Sequence, residues 1–272
     1  MVDRYAPTSL AAALDLMAHE ELVPYAGGTD LMVDEALGRP FVFLHGIEEL
    51  KGITDNEDSF IVGAGVTYRE LLAHPATPEL LKEAVAQIAA PAIRNTATLA
   101  GNIANASPKG DGALVCFAAD AEIVLRSAET ARRVPIASFY EGRGKTVRRP
   151  DELVTAVIIP KKHLAGYRFE KVGARKALAI SRVSFVGLMT IEESVVAHLA
   201  LAFGAVEDVV ARRPAIDAML IGKTIEAARG AAEEYLAAWD EAIQPIRGRV
   251  SAEYRKQVCL NLARDFITCR LG

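Results

Sequence analysis

Two long apolar segments that follow each other closely constrain the fold more than any other feature. Residues 183–191 and 195–203 are rich in Val, Phe, Leu and Ala, and only the polar residues 192–194 separate them. Apolar runs of this length, joined by so short a connection, are typical of two antiparallel strands linked by a tight turn. The sequence therefore predicts a β-hairpin in the second half of the chain.

The first 90 residues alternate short strand-like runs with helical patterns, which favours a small βαβ-like unit. Apolar residues recur at helical spacing in residues 10–17, and Thr8 or Ser9 before them can cap the helix. Thr67 and Glu70 have the spacing of a capping box. From residue 91 the pattern changes, because residues 91–112 are rich in small residues, Asn, Pro and Gly, and their apolar residues show little periodicity. This indicates a long functional loop or a set of tight turns.

The remaining segments complete an α+β pattern. Strands are predicted at residues 122–126, 153–159 and 166–172. Residues 225–239 are predicted to be helical. Ser251 is predicted to cap a final helix with one apolar side, formed by Tyr254, Val258, Leu262 and Phe266. The best domain boundary lies near residues 160–165, where a strand ends in proline and a Lys-Lys-His turn follows.

Composition excludes several classes of protein. Of the 272 residues, 51% are hydrophobic and 24% are charged, which excludes a disordered chain. The net charge of −4 argues against a general affinity for nucleic acid or anionic membranes. No apolar run is long enough to cross a membrane, and the N-terminus has no secretory pattern, so a soluble cytoplasmic protein is expected. Three scattered cysteines do not form a disulfide framework, and the five histidines have no metal-binding spacing.

The glycine turn at residues 63–65 resembles the start of a dinucleotide-binding motif. It offers G-x-G after a strand, but Tyr68 occupies the position of the third glycine, which normally allows the helix to pack closely. We therefore interpret it as a tight turn into a capped helix rather than as a nicotinamide site.

Two other loops have a composition suited to binding a ligand. The first, residues 25–31, places adjacent glycines after a short strand, where exposed backbone N–H groups and the Thr29 hydroxyl suit a phosphate. The second, residues 95–108, is dense in Thr, Asn and Ser, and Asp111 follows it. Donors near a carboxylate suit ribose or ribityl hydroxyls, although such residues also form turns that satisfy their own backbone. The residues alone leave both interpretations open.

Taken in order, these motifs resemble those of the FAD-binding medium subunits of the molybdenum hydroxylases. Residues 26–31 read A-G-G-T-D-L as in that family, and residues 98–111 read T-L-A-G-N-I-A-N-A-S-P-K-G-D, where the family has T-I-G-G-N-I-A-N-A-S-P-x-x-D. Further likenesses are R-G-K-T at 143–146, P-D-E-L-V at 150–154, Y-R-F-E-K-V-G at 167–173 and I-G-K at 221–223. The family includes the flavin subunits of xanthine, carbon monoxide and nicotinate dehydrogenases.

The resemblance implies an α+β fold with two domains. Residues 1–163 would form a two-subdomain FAD-binding domain of the PCMH or vanillyl-alcohol-oxidase type. Residues 164–272 would form a smaller domain with an antiparallel sheet and helices, like the C-terminal domain of the carbon monoxide dehydrogenase flavoprotein. It also implies noncovalent FAD as the cofactor.

The resemblance also assigns cofactor-binding residues. The pyrophosphate would be held by two groups of residues: Ala26, Gly27, Gly28, Thr29, Asp30 and Leu31, and Thr98, Leu99, Ala100, Gly101 and Asn102. Asp111 would accept a hydrogen bond from a sugar-chain hydroxyl. Val154 and Lys171 match positions nearer the flavin. Without the resemblance, Val154 is a core residue, and Lys171 is a strand lysine with its stem on the apolar surface.

Leu99 and Ala100 depart from the family pattern, which has Ile and Gly there. If position 100 needs a positive φ, alanine costs about 1 kcal/mol or more; if glycine only provides room, a methyl group is tolerated. A basic run, Arg143, Lys145, Arg148 and Arg149, is either a solvated loop or a docking site for an anionic nucleotide or acidic partner.

The function implied is that of an oxidoreductase subunit. It would take electrons from a 2Fe–2S partner subunit and pass them through FAD to NAD or another acceptor, in a complex with a molybdopterin subunit. With no four-cysteine cluster, this chain would hold no iron–sulfur centre itself. The resemblance implies that molybdenum also lies in a partner subunit. No catalytic side chain is expected. The alternatives are a flavin subunit that reduces oxygen or a quinone, and an assembly or scaffold paralogue without FAD, suggested by Ala100.

Overall fold

The computed structural model describes residues 4–33 and 38–272. Two compact units emerge, each built from several stretches of the chain. The first unit comprises residues 1–78, 88–106 and 120–160. The second unit comprises residues 79–87, 107–119 and 161–272.

The two units do not coincide with the predicted domains, 1–163 and 164–272. Two segments of the first predicted domain belong to the second unit. Residues 79–87 and 107–119 precede the predicted boundary at residue 163 and yet pack within the second unit. Both segments contain helices, and they pack against each other and against strands of the second unit. The single boundary stays a prediction, because it describes order along the chain and the units describe packing.

The strands of the described ranges, numbered in chain order, are β1 (Arg4–Tyr5), β2 (Val23–Tyr25), β3 (Phe41–Phe43), β4 (Ile53–Asp55), β5 (Ser59–Gly63), β6 (Glu122–Arg126), β7 (Ala131–Pro135), β8 (Tyr140–Gly142), β9 (Lys145–Thr146), β10 (Leu153–Pro160), β11 (Tyr167–Val172), β12 (Val183–Glu192), β13 (Val195–Gly204) and β14 (Ala211–Arg212).

The α-helices of the same ranges are α1 (Leu10–His19), α2 (Tyr68–Ala73), α3 (Glu79–Ala86), α4 (Pro91–Arg94), α5 (Leu99–Ala104), α6 (Asp111–Ala118), α7 (Ile136–Phe139), α8 (Pro214–Asp217), α9 (Ile225–Gly230), α10 (Ala232–Ala242) and α11 (Ala252–Leu271).

The first unit contains two main sheets. A three-stranded parallel sheet has the order β1-β3-β2, and a five-stranded antiparallel sheet has the order β4-β5-β10-β6-β7. Helix α1 forms as predicted, because the Ser9 side chain accepts from Ala12 N and the apolar residues of the helix are buried on one face. The capping box of Thr67 and Glu70 is likewise confirmed at the start of α2.

The second unit is built around the predicted hairpin, which is confirmed. Strands β12 and β13 pair along their length, and β11 and β14 extend the antiparallel sheet on either side. A Cβ at Gly187 would meet Phe266 of α11, whereas one at Gly204 would meet Leu114 of α6. Gly204 pairs with Ser184, which lies three residues before Gly187 on the same strand. Since successive strand residues point to opposite faces, α6 and α11 cover opposite faces of this sheet.

Two predictions about helices are wrong. Residues 91–112 are not a loop, because α4, α5 and the start of α6 lie in them. These helices are too short for the periodicity of apolar residues to reveal them. In α11, Ser251 caps the helix as predicted, but the buried side is different. Tyr254 is 45% exposed, whereas Arg255 and Cys259 are buried with Phe266.

In the ranges that the structure describes, no helix combines the length and the apolar character needed to cross a membrane.

Candidate functional site

The glycine turn after β2 leaves several backbone N–H groups available. Gly28 has a φ of 67°, a left-handed conformation that glycine adopts at little cost. Beyond it the chain forms a helical turn, in which Met32 N donates to Gly28 O and Val33 N donates to Asp30 O, each at 2.9 Å. No described residue accepts a hydrogen bond from the N–H groups of residues 27–30. The turn therefore presents donors as the first turn of a helix does.

This glycine turn lies directly against the chain that leads into α5. A Cβ at Gly27 would overlap the carbonyl oxygen of Thr96 and crowd the backbone nitrogen of Ala97. A second link joins the same segments, because Asn105 Nδ2 donates to Asp30 Oδ2 at 3.0 Å. The two glycine-bearing segments, far apart in the sequence, are therefore in contact, and the contact requires glycine at position 27.

Thr98 begins α5 and organises its first turn. Its Oγ1 accepts from Gly101 N at 2.9 Å, so the hydroxyl proton remains available to donate to a ligand. Leu99 is fully buried in the core, and its side chain packs rather than binds. Gly101 is exposed and Asn102 is half-buried, so both lie where a ligand can reach them.

Ala100 adopts the helical conformation of α5 and is not among the described residues with positive φ. Alanine is therefore not strained there. Its methyl group is buried, with 4% of the residue exposed. Of the two explanations for the family's glycine, only the need for room remains, and the methyl group is accommodated.

The combined donors suit the diphosphate of FAD, the group that the resemblance implies. Residues 27–30 offer N–H groups from which no described residue accepts, and the neighbouring Thr98 offers a hydroxyl. Grouped backbone N–H groups of this kind bind anions. Gly27 and Gly28 both lie where a Cβ would overlap neighbouring atoms, so the turn is as closely packed as such a cradle requires. The residues of the first unit therefore fit the group.

In the second unit, Asp111 and Lys171 form a buried ion pair. Lys171 Nζ donates to Asp111 Oδ2 at 2.7 Å and to the carbonyl oxygen of Gln87 at 2.9 Å. The other carboxylate oxygen, Oδ1, accepts from Ser181 Oγ at 2.9 Å. Sequence reasoning named Asp111 and Lys171 but missed Ser181 and Gln87, because no motif or spacing links residues that meet only through tertiary packing.

Val154 lies in β10, in the middle of the five-stranded sheet of the first unit. It is buried, with 7% exposed, next to an irregularity in the pairing of β10 with β6 between Val154 and Ala156. Such irregularities redirect a strand locally and are frequent near functional sites. The burial of Val154 fits core packing, and the irregularity begins directly after it.

Part of the basic run serves the protein internally. Arg148 Nη1 donates to the carbonyl oxygen of Glu152 at 2.7 Å. The backbone N–H of Arg149 donates to Glu152 Oε2 at 2.8 Å, and its guanidinium lies 3.0 Å from Oε1. The side chains of Arg143 and Lys145 are exposed. Arg148 and Arg149 therefore anchor the chain internally, a role that neither of the two interpretations of this run included.

The described part of the chain shows no group of three or more His, Cys, Asp or Glu residues arranged to hold a metal ion. Burial raises the pKa of Cys116 to about 12, which makes it an unreactive thiol. His198 stacks on His163 with a centroid separation of 4.0 Å, and His163 Nδ1 lies 3.1 Å from Thr190 Oγ1. These residues form a local packing pair within the second unit.

Comparison with known proteins agrees with the fold. Residues 1–162 match the FAD binding domain in molybdopterin dehydrogenase, and residues 168–269 match the CO dehydrogenase flavoprotein C-terminal domain. The chain therefore belongs to the family of FAD-binding medium subunits of the xanthine dehydrogenase and carbon monoxide dehydrogenase type. It is an oxidoreductase subunit with an FAD-binding domain, and the predicted α+β fold class is confirmed.

Individual relatives support the same assignment. The xanthine dehydrogenase FAD-binding subunit of Escherichia coli O157:H7 is 33% identical, with 72% of this chain and 71% of the relative covered. The carbon monoxide dehydrogenase medium chain of Hydrogenophaga pseudoflava is 28% identical, with 92% and 90% covered. A solved structure of reconstituted CO dehydrogenase from Oligotropha carboxidovorans superimposes with a TM-score of 0.89 at 26% identity, covering 97% of this chain and 96% of that chain.

Proposed function

We propose that this chain is the electron-transfer subunit of a molybdenum hydroxylase complex. It receives electrons from a 2Fe–2S partner subunit and delivers them through bound FAD to NAD or another acceptor, while a molybdopterin subunit acts on the organic substrate. The observation that carries the proposal is the contact of Gly27 with Thr96, which unites the two segments with phosphate-binding character.

The residues of the first unit bind and orient the cofactor. The glycine turn at Ala26–Leu31 donates its N–H groups to the diphosphate. The segment from Thr98 to Asn102 adds the Thr98 hydroxyl, the backbone N–H groups at the beginning of α5 and the Asn102 side-chain amide. Asn105 holds Asp30, so this turn keeps its shape before the cofactor arrives. Preformed donors lose little conformational entropy on binding.

The remaining proposed contacts are Val154 at the irregular point of β10, and the Asp111–Lys171 pair of the second unit. Lys171 supplies a fixed N–H donor, and Asp111 balances its charge and accepts from a hydroxyl. When bound, FAD supplies a redox centre that exchanges electrons singly or as a pair. The protein contributes binding and orientation, so no side chain need act as acid or base.

The conformation of Ala100 bears on the alternative of a scaffold paralogue without FAD. This alternative rested on Ala100 weakening FAD binding, either through backbone strain or through the room that its methyl group takes. Ala100 is helical and its methyl group packs in the core, which removes backbone strain as a reason for weak FAD binding.

Titration with FAD tests the proposed site. The full chain should quench flavin fluorescence with one FAD per chain. Gly27→Ala should weaken binding at least about tenfold, because the new Cβ separates the glycine turn from Thr96. Gly52→Ala is the matched control, since no described atom lies within 4 Å of a Cβ there. Wild-type affinity in folded Gly27→Ala protein would contradict the proposed site.

The acceptor is tested with the assembled complex. Mixing it with NADH in a stopped-flow instrument should bleach the flavin absorption if NAD is the acceptor. Absence of bleaching, with bleaching by dithionite intact, would favour oxygen or a quinone instead.

A further inference from the structure

The ammonium group of Lys171 is held by two acceptors in the second unit. Asp111 Oδ2 lies 2.7 Å from Nζ, and the carbonyl oxygen of Gln87, just after α3, lies 2.9 Å away. A lysine ammonium has three N–H donors on a flexible stem. Within the described part of the chain these two acceptors occupy two of the donors. One N–H therefore remains for a ligand, and its direction depends on the other two bonds.

The direction of the Asp111 carboxylate depends in turn on Ser181. Ser181 Oγ donates to Asp111 Oδ1 at 2.9 Å, on the oxygen that Lys171 does not use. Ser181 is 2% exposed, and the side chains of Asp111 and Lys171 are 4% and 9% exposed. Hydrogen bonds to a carboxylate are stronger than neutral ones, and burial removes competition from water. The serine hydroxyl therefore locks the carboxylate in one orientation.

Ser181 also lies near the end of the connection between β11 and β12. Within that connection, Arg175 folds the chain back on itself, because its guanidinium donates to Ala177 O at 3.0 Å and to Leu178 O at 2.7 Å. The connection is anchored at its start by β11, which carries Lys171, and near its end by the hydroxyl of Ser181. The carboxylate of Asp111 thus joins the two ends of the connection.

We propose that Ser181 is a positioning residue for the cofactor. By holding Asp111, it fixes the Lys171 ammonium so that its one remaining N–H points in a constant direction toward bound FAD. This inference rests on the proposed function, in which Lys171 contacts FAD. Ser181 itself does not touch the cofactor and acts through two other side chains.

The test compares two buried serines in the full chain. Ser181→Ala should raise the dissociation constant for FAD about tenfold, the effect expected for losing a hydrogen bond to a charged group. Ser181→Thr, which keeps the hydroxyl, should restore most of the affinity. Ser184→Ala is the matched control, because the Ser184 hydroxyl is fully buried and bonds to no described residue. It should bind FAD like the wild type.

A double-mutant cycle separates positioning from a general loosening of the structure. Lys171→Met removes the donor that Ser181 is proposed to orient. In that background, adding Ser181→Ala should change the dissociation constant less than twofold, because the two residues act as a unit. If the two effects multiply independently, Ser181 does not act through Lys171 and the inference is wrong.

Folding and the proposed function are checked separately. Each variant is melted without FAD. Ser181→Cys, which keeps the shape of the side chain but has a larger atom and only a weak donor, replaces Ser181→Ala if the latter unfolds. Wild-type affinity in folded Ser181→Ala or Ser181→Cys overturns the positioning role and leaves the proposed function standing. A wild-type chain that binds no FAD overturns both.

Discussion

Arg132 holds the buried carboxylate of Glu152 at two points, with Nε to Oε1 at 2.7 Å and Nη2 to Oε2 at 2.9 Å. The pair links β7 to the chain just before β10 in the first unit. Burial by itself raises the pKa of Glu152, but Arg132 and the Arg149 N–H outweigh it and hold the pKa at about 2. The basic run that resembles a docking surface in the sequence is thus organised in part around one buried acid.

Replacing this acid should destabilise the protein. Glu152→Gln leaves the arginines without their counter-charge and should lower the free energy of unfolding by about 3 kcal/mol, the lower end for breaking a buried pair. Arg132 remains partly exposed, which limits the loss. Urea unfolding at neutral pH measures it. Glu57→Gln, at an exposed acid, is the control and should stay within about 0.5 kcal/mol of wild type.

The same pair makes the protein sensitive to acid. The pKa of Glu152 in the folded protein lies below its ordinary value of 4.5. The contribution of ionised Glu152 to the free energy of unfolding is therefore complete above about pH 4.5 and is lost as the pH falls toward 2. Melting temperatures at pH 5 and pH 3 should differ more in the wild type than in Glu152→Gln. Equal differences would show that the pair does not survive in solution.

The turn of the β12–β13 hairpin can be improved. Glu193 and Ser194 have φ values of 49° and 63°, which Asn-Gly adopts at much lower cost. The double variant Glu193→Asn with Ser194→Gly should raise the free energy of unfolding by about 1 kcal/mol. Thermal unfolding measures the gain. Ser194→Ala provides the contrast and should give no gain, because alanine disfavours this conformation as well.

The stability of the protein should also depend on the protonation of His198, which stacks on His163. Burial, followed by the neighbouring His163 and Arg212, lowers the pKa of His198 to about 4. The pKa of His198 in the folded protein lies below the ordinary value of about 6.5. The contribution of neutral His198 to the free energy of unfolding is therefore complete above pH 6.5 and is lost as the pH falls toward 4. His198→Phe keeps the ring without the proton. The fall in melting temperature between pH 7.5 and pH 5 should shrink in this variant, and an unchanged fall would contradict the assignment.

Restoring the family's glycine at position 100 should not help. Ala100 is helical and buried, so Ala100→Gly should lower the free energy of unfolding by about 1 kcal/mol through backbone entropy and lost packing. The dissociation constant for FAD should stay within about twofold of wild type. A large gain in affinity would instead mean that the methyl group obstructs the cofactor.

Local sequence patterns predicted the elements whose cause is local. Helix α1, the capping box before α2 and the hairpin of β12 and β13 depend on residues only a few positions apart, and all three are confirmed. The short helices α4 and α5 were missed, because a helix of one or two turns shows little periodicity and owes its stability to packing.

The sequence by itself determined the glycine turn, its phosphate-binding composition and the order of motifs that place the chain in its family. Only the tertiary structure decided that Gly27 lies against Thr96, that Ala100 is unstrained, that Arg148 and Arg149 anchor the chain around Glu152, and that Ser181 holds Asp111 and through it Lys171. The reason is physical. Backbone preferences act over a few residues and can be read in order, whereas buried polar contacts join distant residues whose meeting depends on how the whole core packs.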